Sequence, residues 1–260
     1  MTWALKRQIY YISVLVLFFT IFGFLVIYPA FNREPTCMDG IQNGAETGPD
    51  CGGACARACL FEADSVSVLW TRSFLVVPGR YNAVAYLENQ NKNLAVQKIK
   101  YSFRFADNNN LYLGRREGIA SIPPGRAFAI FERGIELANS TPVYTTFEFT
   151  EIPNWVTVSE AKIEQLKVST GSIALEGEDS YPHMSAVLKN NSLFTIPNMS
   201  VVAILYDENG NAVSASSTYL DSFGPEEEQA IDFTWPMPFD RPIISKEILP
   251  SFNIFEVILR

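Results

Sequence analysis

The chain has 260 residues, enough for one large domain or two of ordinary size. Hydrophobic residues make up 48% and aromatic residues 13%, a composition that excludes a disordered chain. Net charge is −8, and Lys6, Arg7 and Arg33 put +3 on the first 33 residues, which leaves −11 on the rest. An acidic body excludes nucleic acid as a partner, because phosphates demand a basic surface.

The 25 residues from Gln8 to Asn32 carry no charge and consist mostly of Ile, Leu, Val, Phe and Tyr. About 20 apolar residues suffice for a helix to cross the hydrocarbon core of a bilayer. Trp3, Tyr10 and Tyr11 lie near one end and Tyr28 near the other, where interfacial rings belong. A cleaved signal peptide fits poorly. Its apolar region would be shorter, and the small residue Ala30 has bulky Tyr28 two positions before it. A lipoprotein site at Cys37 fails as well, since Arg33-Glu34-Pro35-Thr36 precedes it. The segment therefore predicts an uncleaved signal-anchor at residues 8–32, crossing the cell membrane once. With Lys6 and Arg7 before the span and Glu34 beside Arg33 after it, residues 1–7 are expected in the cytoplasm and the body outside.

Residues 33–61 hold all four cysteines: Cys37, Cys51, Cys55 and Cys59. Five glycines between the first and last of them imply tight turns and no useful helix or strand, so the segment needs staples. Two disulfides suit an exported chain, with three pairings open. A zinc site made of the four thiolates is the rival, although structural zinc favours two close pairs separated by a longer loop. Asp39, Asn43, Glu46 and Asp50 are oxygen donors among glycines, a loose match to a calcium loop. The plainer reading is that Asp-Gly and Asn-Gly form turns through their own backbone. Calcium is the one cofactor the sequence raises. The pattern Cys-x-Asp-Gly-x-x-Asn-Gly-x-Glu-Thr-Gly-x-Asp-Cys-Gly-Gly-x-Cys resembles a motif of bacterial exported and surface proteins, which implies location and no catalytic role. The stapled loop reads as a spacer, and replacing Cys51 and Cys55 is expected to leave the melting of the body nearly unchanged.

From residue 62 the texture is β. In Val96 to Ala106, Ile99, Tyr101, Phe103 and Phe105 alternate with Lys98, Lys100, Ser102 and Arg104, which predicts a strand with one wet face. The turn Asp107-Asn108-Asn109-Asn110 and the run Leu111-Tyr112-Leu113 complete a hairpin signal. About one hundred positions later the order recurs. Tyr81 and Ala85-Tyr86-Leu87-Glu88-Asn89 are echoed by Tyr181 and Ala186-Val187-Leu188-Lys189-Asn190. Phe103 to Asp107 is echoed by Ala203 to Asp207, Ser121-Ile122-Pro123-Pro124 by Ser222-Phe223-Gly224-Pro225, Pro142-Val143 by Pro242-Ile243, and Trp155-Val156 by Phe255-Glu256. A duplicated module follows, at 62–158 and 162–260, each copy with about seven short strands. The expected fold class is all-β: two tandem immunoglobulin-like β-sandwiches, after a transmembrane helix and a small Cys-rich loop segment. Ser159 to Val168 is expected as the link and first strand of the second copy. The ending Leu205-Tyr206-Asp207 with its Asn-rich turn resembles the FxLYD family of bacterial Ig-like domains, as does Phe103 with Asp107 in the first copy. That resemblance implies an extracytoplasmic, non-enzymatic domain.

No chemistry stands out. The single histidine, His183, excludes an HExxH zinc site and would have to serve any Ser-His-Asp triad. Ser159-Glu160-Ala161-Lys162 fits Ser-x-x-Lys without its companion motifs and reads as coincidence. The expected function is a membrane-anchored structural or protein-interaction module without catalysis, with the bilayer as one partner through residues 8–32 and protein or envelope partners beyond. The alternatives are an envelope-assembly subunit that packs through its anchor helix, and an envelope-polymer hydrolase or carbohydrate-binding protein with an unrecognised site.

Overall fold

The structure is a computed structural model that describes residues 2–31, 34–137 and 140–259. The chain divides after Cys55 into two compact units.

In the first unit a continuous helix, α1, spans Trp3–Phe31. Its serine and threonine hydroxyls, on Ser13 and Thr20, donate to the carbonyls of Tyr10 (2.9 Å) and Val16 (2.8 Å). Their polar hydrogens are thus satisfied inside the helix, as an apolar medium requires. Over Trp3–Tyr28 the helix is long and apolar enough to cross a membrane, and none of that stretch is buried by protein. Asn32, the last residue of the expected span, and Arg33 beyond it lie outside the described residues.

The second unit contains two β-sandwiches. In the first, one sheet has the order β1-β2-β5, formed by β1 (Ser67–Val77), β2 (Arg80–Glu88) and β5 (Ala127–Glu136). Facing it are β3 (Leu94–Ala106), β4 (Tyr112–Ile122) and β6 (Tyr144–Phe149) in the order β4-β3-β6, with the short β7 (Trp155–Thr157) also on β3. In the second sandwich β8 (Val168–Glu176), β9 (His183–Asn190) and β12 (Glu228–Thr234) form β12-β9-β8. Opposite lie β10 (Ile196–Tyr206), β11 (Ala212–Phe223) and β13 (Ser245–Ser251), ordered β11-β10-β13. The strand order is the same in both. All pairings are antiparallel.

Period-two alternation builds each core. Ala83, Ala85 and Leu87 of β2 meet Ile99, Phe103 and Phe105 of β3, with Phe128 and Ile130 of β5. In the second sandwich Met184, Ala186 and Leu188 of β9 meet Val201, Ala203 and Leu205 of β10, with Ile231 and Phe233 of β12. The alternation expected for β3 holds with one exception: Ser102, assigned to the wet face, is buried.

Local bonds repeat as well. Asn89 Nδ2 donates to the carbonyls of Leu94 and Pro123, both at 2.8 Å, while its oxygen accepts from Asn91 N at 3.0 Å. One hundred and one positions on, Asn190 Nδ2 reaches the carbonyls of Phe194 (2.9 Å) and Gly224 (2.6 Å), and its oxygen accepts from Ser192 N (3.0 Å). Both asparagines are almost fully buried, at 1% and 0% exposure, so these bonds satisfy carbonyls that water cannot reach. Asp107 and Asp207 match too, each carboxylate accepting from the backbone N–H groups two and four residues ahead.

Three expectations are corrected. Ser159 to Val168 is not only link and strand: Glu160–Gln165 forms a helix, α2, with Ser159 as N-cap. Local capping and the docking of Ile163 and Leu166 against the second core outweigh the strand reading. Phe255-Glu256, matched to the strand residues Trp155-Val156, falls in a turn, and the second sandwich has six strands. The compact body also starts at Ala56 instead of residue 62. Ala58 N donates to Trp155 O (3.0 Å), Thr157 N donates to Ala56 O (2.7 Å), and Ala58 is buried in the first core.

Candidate functional site

All four cysteines named from the sequence are disulfide-bonded, and none is free. Cys37 pairs with Cys55. Zinc, which needs thiolates, is thereby excluded at these positions. Around that bond the loop folds on glycine geometry. Gly53 has φ +59, and a Cβ there would collide with the carbonyl of Ala45.

Three of the four calcium candidates, Asp39, Glu46 and Asp50, turn toward the loop's own backbone, while Asn43 donates to Asp39 and its Oδ1 is buried without a hydrogen-bond partner. Both carboxylate oxygens of Asp50 accept from Gly40 N at 3.0 Å. Asp39 accepts from Ile41 N (2.9 Å) and Asn43 Nδ2 (2.8 Å). Glu46 Oε2 accepts from Asn43 N (3.4 Å) and Asp50 N (3.2 Å). Among the described residues the only acidic or thiol group with metal-ligand spacing is Cys37, Glu46 and Cys55, and its two sulfurs are the disulfide itself. Asp39, Glu46 and Asp50 thus serve the turns of the loop itself, the plainer of the two roles raised by the sequence.

The remaining sequence candidates do not converge. His183 Nε2 lies 2.9 Å from Asp232 Oδ1 on the exposed face of β9 and β12. Ser159 Oγ accepts from Lys162 N in the α2 cap, and Lys162 Nζ reaches Val257 O at 3.2 Å, away from the serine. Asn190, which opens an Asn-x-Ser triplet, is fully buried and held by its structural bonds.

The prominent feature is one that the sequence reading missed: a seam between the sandwiches. Phe74, Val84 and Ala129 of the first sandwich meet Val202, Ile204, Ala212 and Ala215 of the second in a separate buried cluster. Sheet β1-β2-β5 of one sandwich therefore packs on sheet β11-β10-β13 of the other, and β2 and β10 are buried on both faces. The signal was present. Val201 to Leu205 is an unbroken apolar run, the mark of a strand covered on both sides.

At the seam's edge, Tyr86 and Tyr206 donate their hydroxyls to the two oxygens of Glu247, at 2.8 and 2.7 Å. Burial, then the bond to Glu247, pushes the Tyr86 phenol up to about 12, and the same causes push Tyr206 further up. Trp70 stacks on Tyr86 with ring centroids 5.4 Å apart. Arg72 adds a bond across the seam to the carbonyl of Ala212.

Several grooves open along the seam, two of which bear on function. One, of about 320 Å³, runs between Arg72–Val76 of β1 and the Trp235–Arg241 loop. The indole nitrogen of Trp235, a groove-lining residue, is buried without a hydrogen-bond partner. The other, of about 400 Å³, lies between the β4–β5 turn, α2 and the segment after β13.

No family model matches the chain, and no curated protein does. Solved structures similar to it include red sea bream transglutaminase, with 11% identity over 72% of this chain and 31% of that one, at a TM-score of 0.21. A β-glucuronidase of glycoside hydrolase family 2 shares 10% identity over 84% of this chain and 29% of that one, at a TM-score of 0.22. Vicilin from hazelnut, Corylus avellana, shares 9% over 68% and 76%, at a TM-score of 0.13. The chain spans about a third of the length of the first two. At these TM-scores nothing of their activity passes to this protein.

Proposed function

We propose that this protein is a membrane-anchored, extracytoplasmic protein-interaction module of the bacterial surface, built from a duplicated β-sandwich and without a catalytic step. The observation that carries the reading is four oxidised cysteines following a membrane-length apolar helix. Disulfides persist in oxidising compartments, and Lys6 and Arg7 before the helix favour a cytoplasmic N-terminus. The matched bonds of Asn89 and Asn190, at an offset of 101, support duplication. They also tie together two motifs that recur in the sequence, since in each copy the buried Asn holds a carbonyl of the Pro-containing turn. The ending Leu205-Tyr206-Asp207 supports the likeness to FxLYD domains. The one histidine is engaged in an exposed strand pair with Asp232, which favours binding over hydrolysis.

Topology is tested by labelling intact cells, or spheroplasts where an outer membrane intervenes, with a membrane-impermeant amine reagent. Lys100 and Lys189, both exposed, should be modified and Lys6 protected, as read by mass spectrometry. Modification of Lys6 with protection of Lys100 and Lys189 would reverse the orientation.

A further inference from the structure

The groove between the β4–β5 turn, α2 and the segment after β13 has an unusual chemical makeup. Its walls are apolar: Pro123 and Pro124 from the first sandwich, Ile163 of α2 and Leu166 at its C-cap, Phe252 and Ile254 from the second. Among the described residues, its charged lining is Arg126 and Lys167, and no acid lines it. In a body carrying −11, a groove with two cations and no carboxylate runs against the overall composition.

Arg126 is the more telling of the two. Its guanidinium lies over the ring of Phe252, 5.5 Å from the centroid, and spans the seam. Among the described residues it has no carboxylate partner, unlike Arg80, Arg116 and Arg241, each of which sits on an acid. Burial pushes Arg126 below its ordinary value, so the charge is held where water solvates it incompletely. An arginine stays charged there and keeps up to five N–H donors to place. A partly dry guanidinium with an open donor set is what an anion with an apolar body would satisfy.

We propose that this groove binds a small apolar carboxylic acid, its carboxylate on Arg126 with Lys167 at the rim, and its hydrocarbon or aromatic body between Ile163, Leu166 and Ile254. The site goes beyond the interaction module proposed above and does not depend on which side of the membrane the body occupies. Because its walls come from both sandwiches and the helix joining them, the ligand would bridge the seam.

Octanoate is a suitable probe, used with the full-length chain in lipid nanodiscs and with Ile methyl groups labelled for NMR. Saturable shifts confined to Ile163 and Ile254 are expected, with octanol binding at least about tenfold more weakly because it lacks the charge-assisted bond. Arg126→Met should lower octanoate affinity by about tenfold or more and leave octanol nearly unchanged. Should that variant unfold, exposed Lys167→Glu serves instead, and it should weaken octanoate selectively while the remaining Ile methyls keep their positions. Equal binding of octanoate and octanol, or no shift at either methyl, would make Arg126 only a tie between the sandwiches and overturn the proposal. Tighter binding of acetyl-Leu-Leu than of octanoate would overturn it in favour of a protein C-terminus.

Discussion

Asn89 and Asn190 each reach carbonyls in two separate loops from one buried amide, so their contribution is larger than a single hydrogen bond. Truncation to Ala would orphan at least two buried acceptors at about 1–3 kcal/mol per group. Urea unfolding of Asn89→Ala and Asn190→Ala should therefore each show a loss of several kcal/mol, and Asn89→Asp a loss too, since a carboxylate cannot donate. Side-chain identity was readable at these positions, but the role was not. Asn beside Pro or Gly signals a turn, whereas the bond to Pro123 or Gly224 depends on a strand more than thirty residues away. The same limit applies to the candidate calcium loop. Oxygen donors at loose spacing are common to cation sites and to self-capped turns, and only the backbone direction separates them. Calcium or chelator should accordingly leave the exchange of the Gly40, Ile41 and Asp50 amides unchanged in full-length protein, because their acceptors are already Asp50, Asp39 and Glu46.

At the level of elements, the paired phenols on Glu247 make the seam sensitive to alkali. Tyr86 and Tyr206 are raised in the folded protein above the ordinary phenol value near 10. Their contribution is fully present below about pH 10 and is lost as pH climbs through the folded value of Tyr86, about 12. Melting temperature should fall across that window, and the fall should be shallower in Tyr86→Phe, measured by circular dichroism. A packing test is independent of pH. Ile204 is fully buried in the seam, and Ile204→Ala should cost about 2–5 kcal/mol in urea unfolding. Strands with one wet face were legible: β3 follows its alternation of Phe and Tyr against Lys and Arg. The double burial of β10 was legible only as an apolar run, because complementarity with β2 is a property of two surfaces that no local pattern encodes. For α2 the difficulty is length. Six helical residues give too little periodicity to outweigh strand signals on either side.

For the molecule as a whole, the cysteine segment is not an inert spacer at its far end. Cys59 is 2% exposed, and Ala58 is packed in the first core beside Trp155. Replacing Cys59 with Ser should destabilise the body by about 1–3 kcal/mol through the buried hydroxyl alone, with the lost disulfide in addition. The contrary outcome, an unchanged urea midpoint, would restore the spacer reading. The seam has a further consequence for assembly. The first sandwich contributes β1-β2-β5, whereas the second contributes β11-β10-β13, the counterpart of the first one's opposite sheet. A contact between unlike faces of like units is a head-to-tail contact, and nothing in its geometry stops at two copies. Termination has to come from the outward sheets. Those carry Lys100, Arg104 and Glu148 at one end, and the Lys189–Glu228 and His183–Asp232 pairs at the other, where the seam carries Val, Ile and Phe. If these charged faces are what closes the series, replacing the charges of either outward sheet with Val should yield chains that associate in a concentration-dependent series by light scattering, and chains that stay monomeric would refute it.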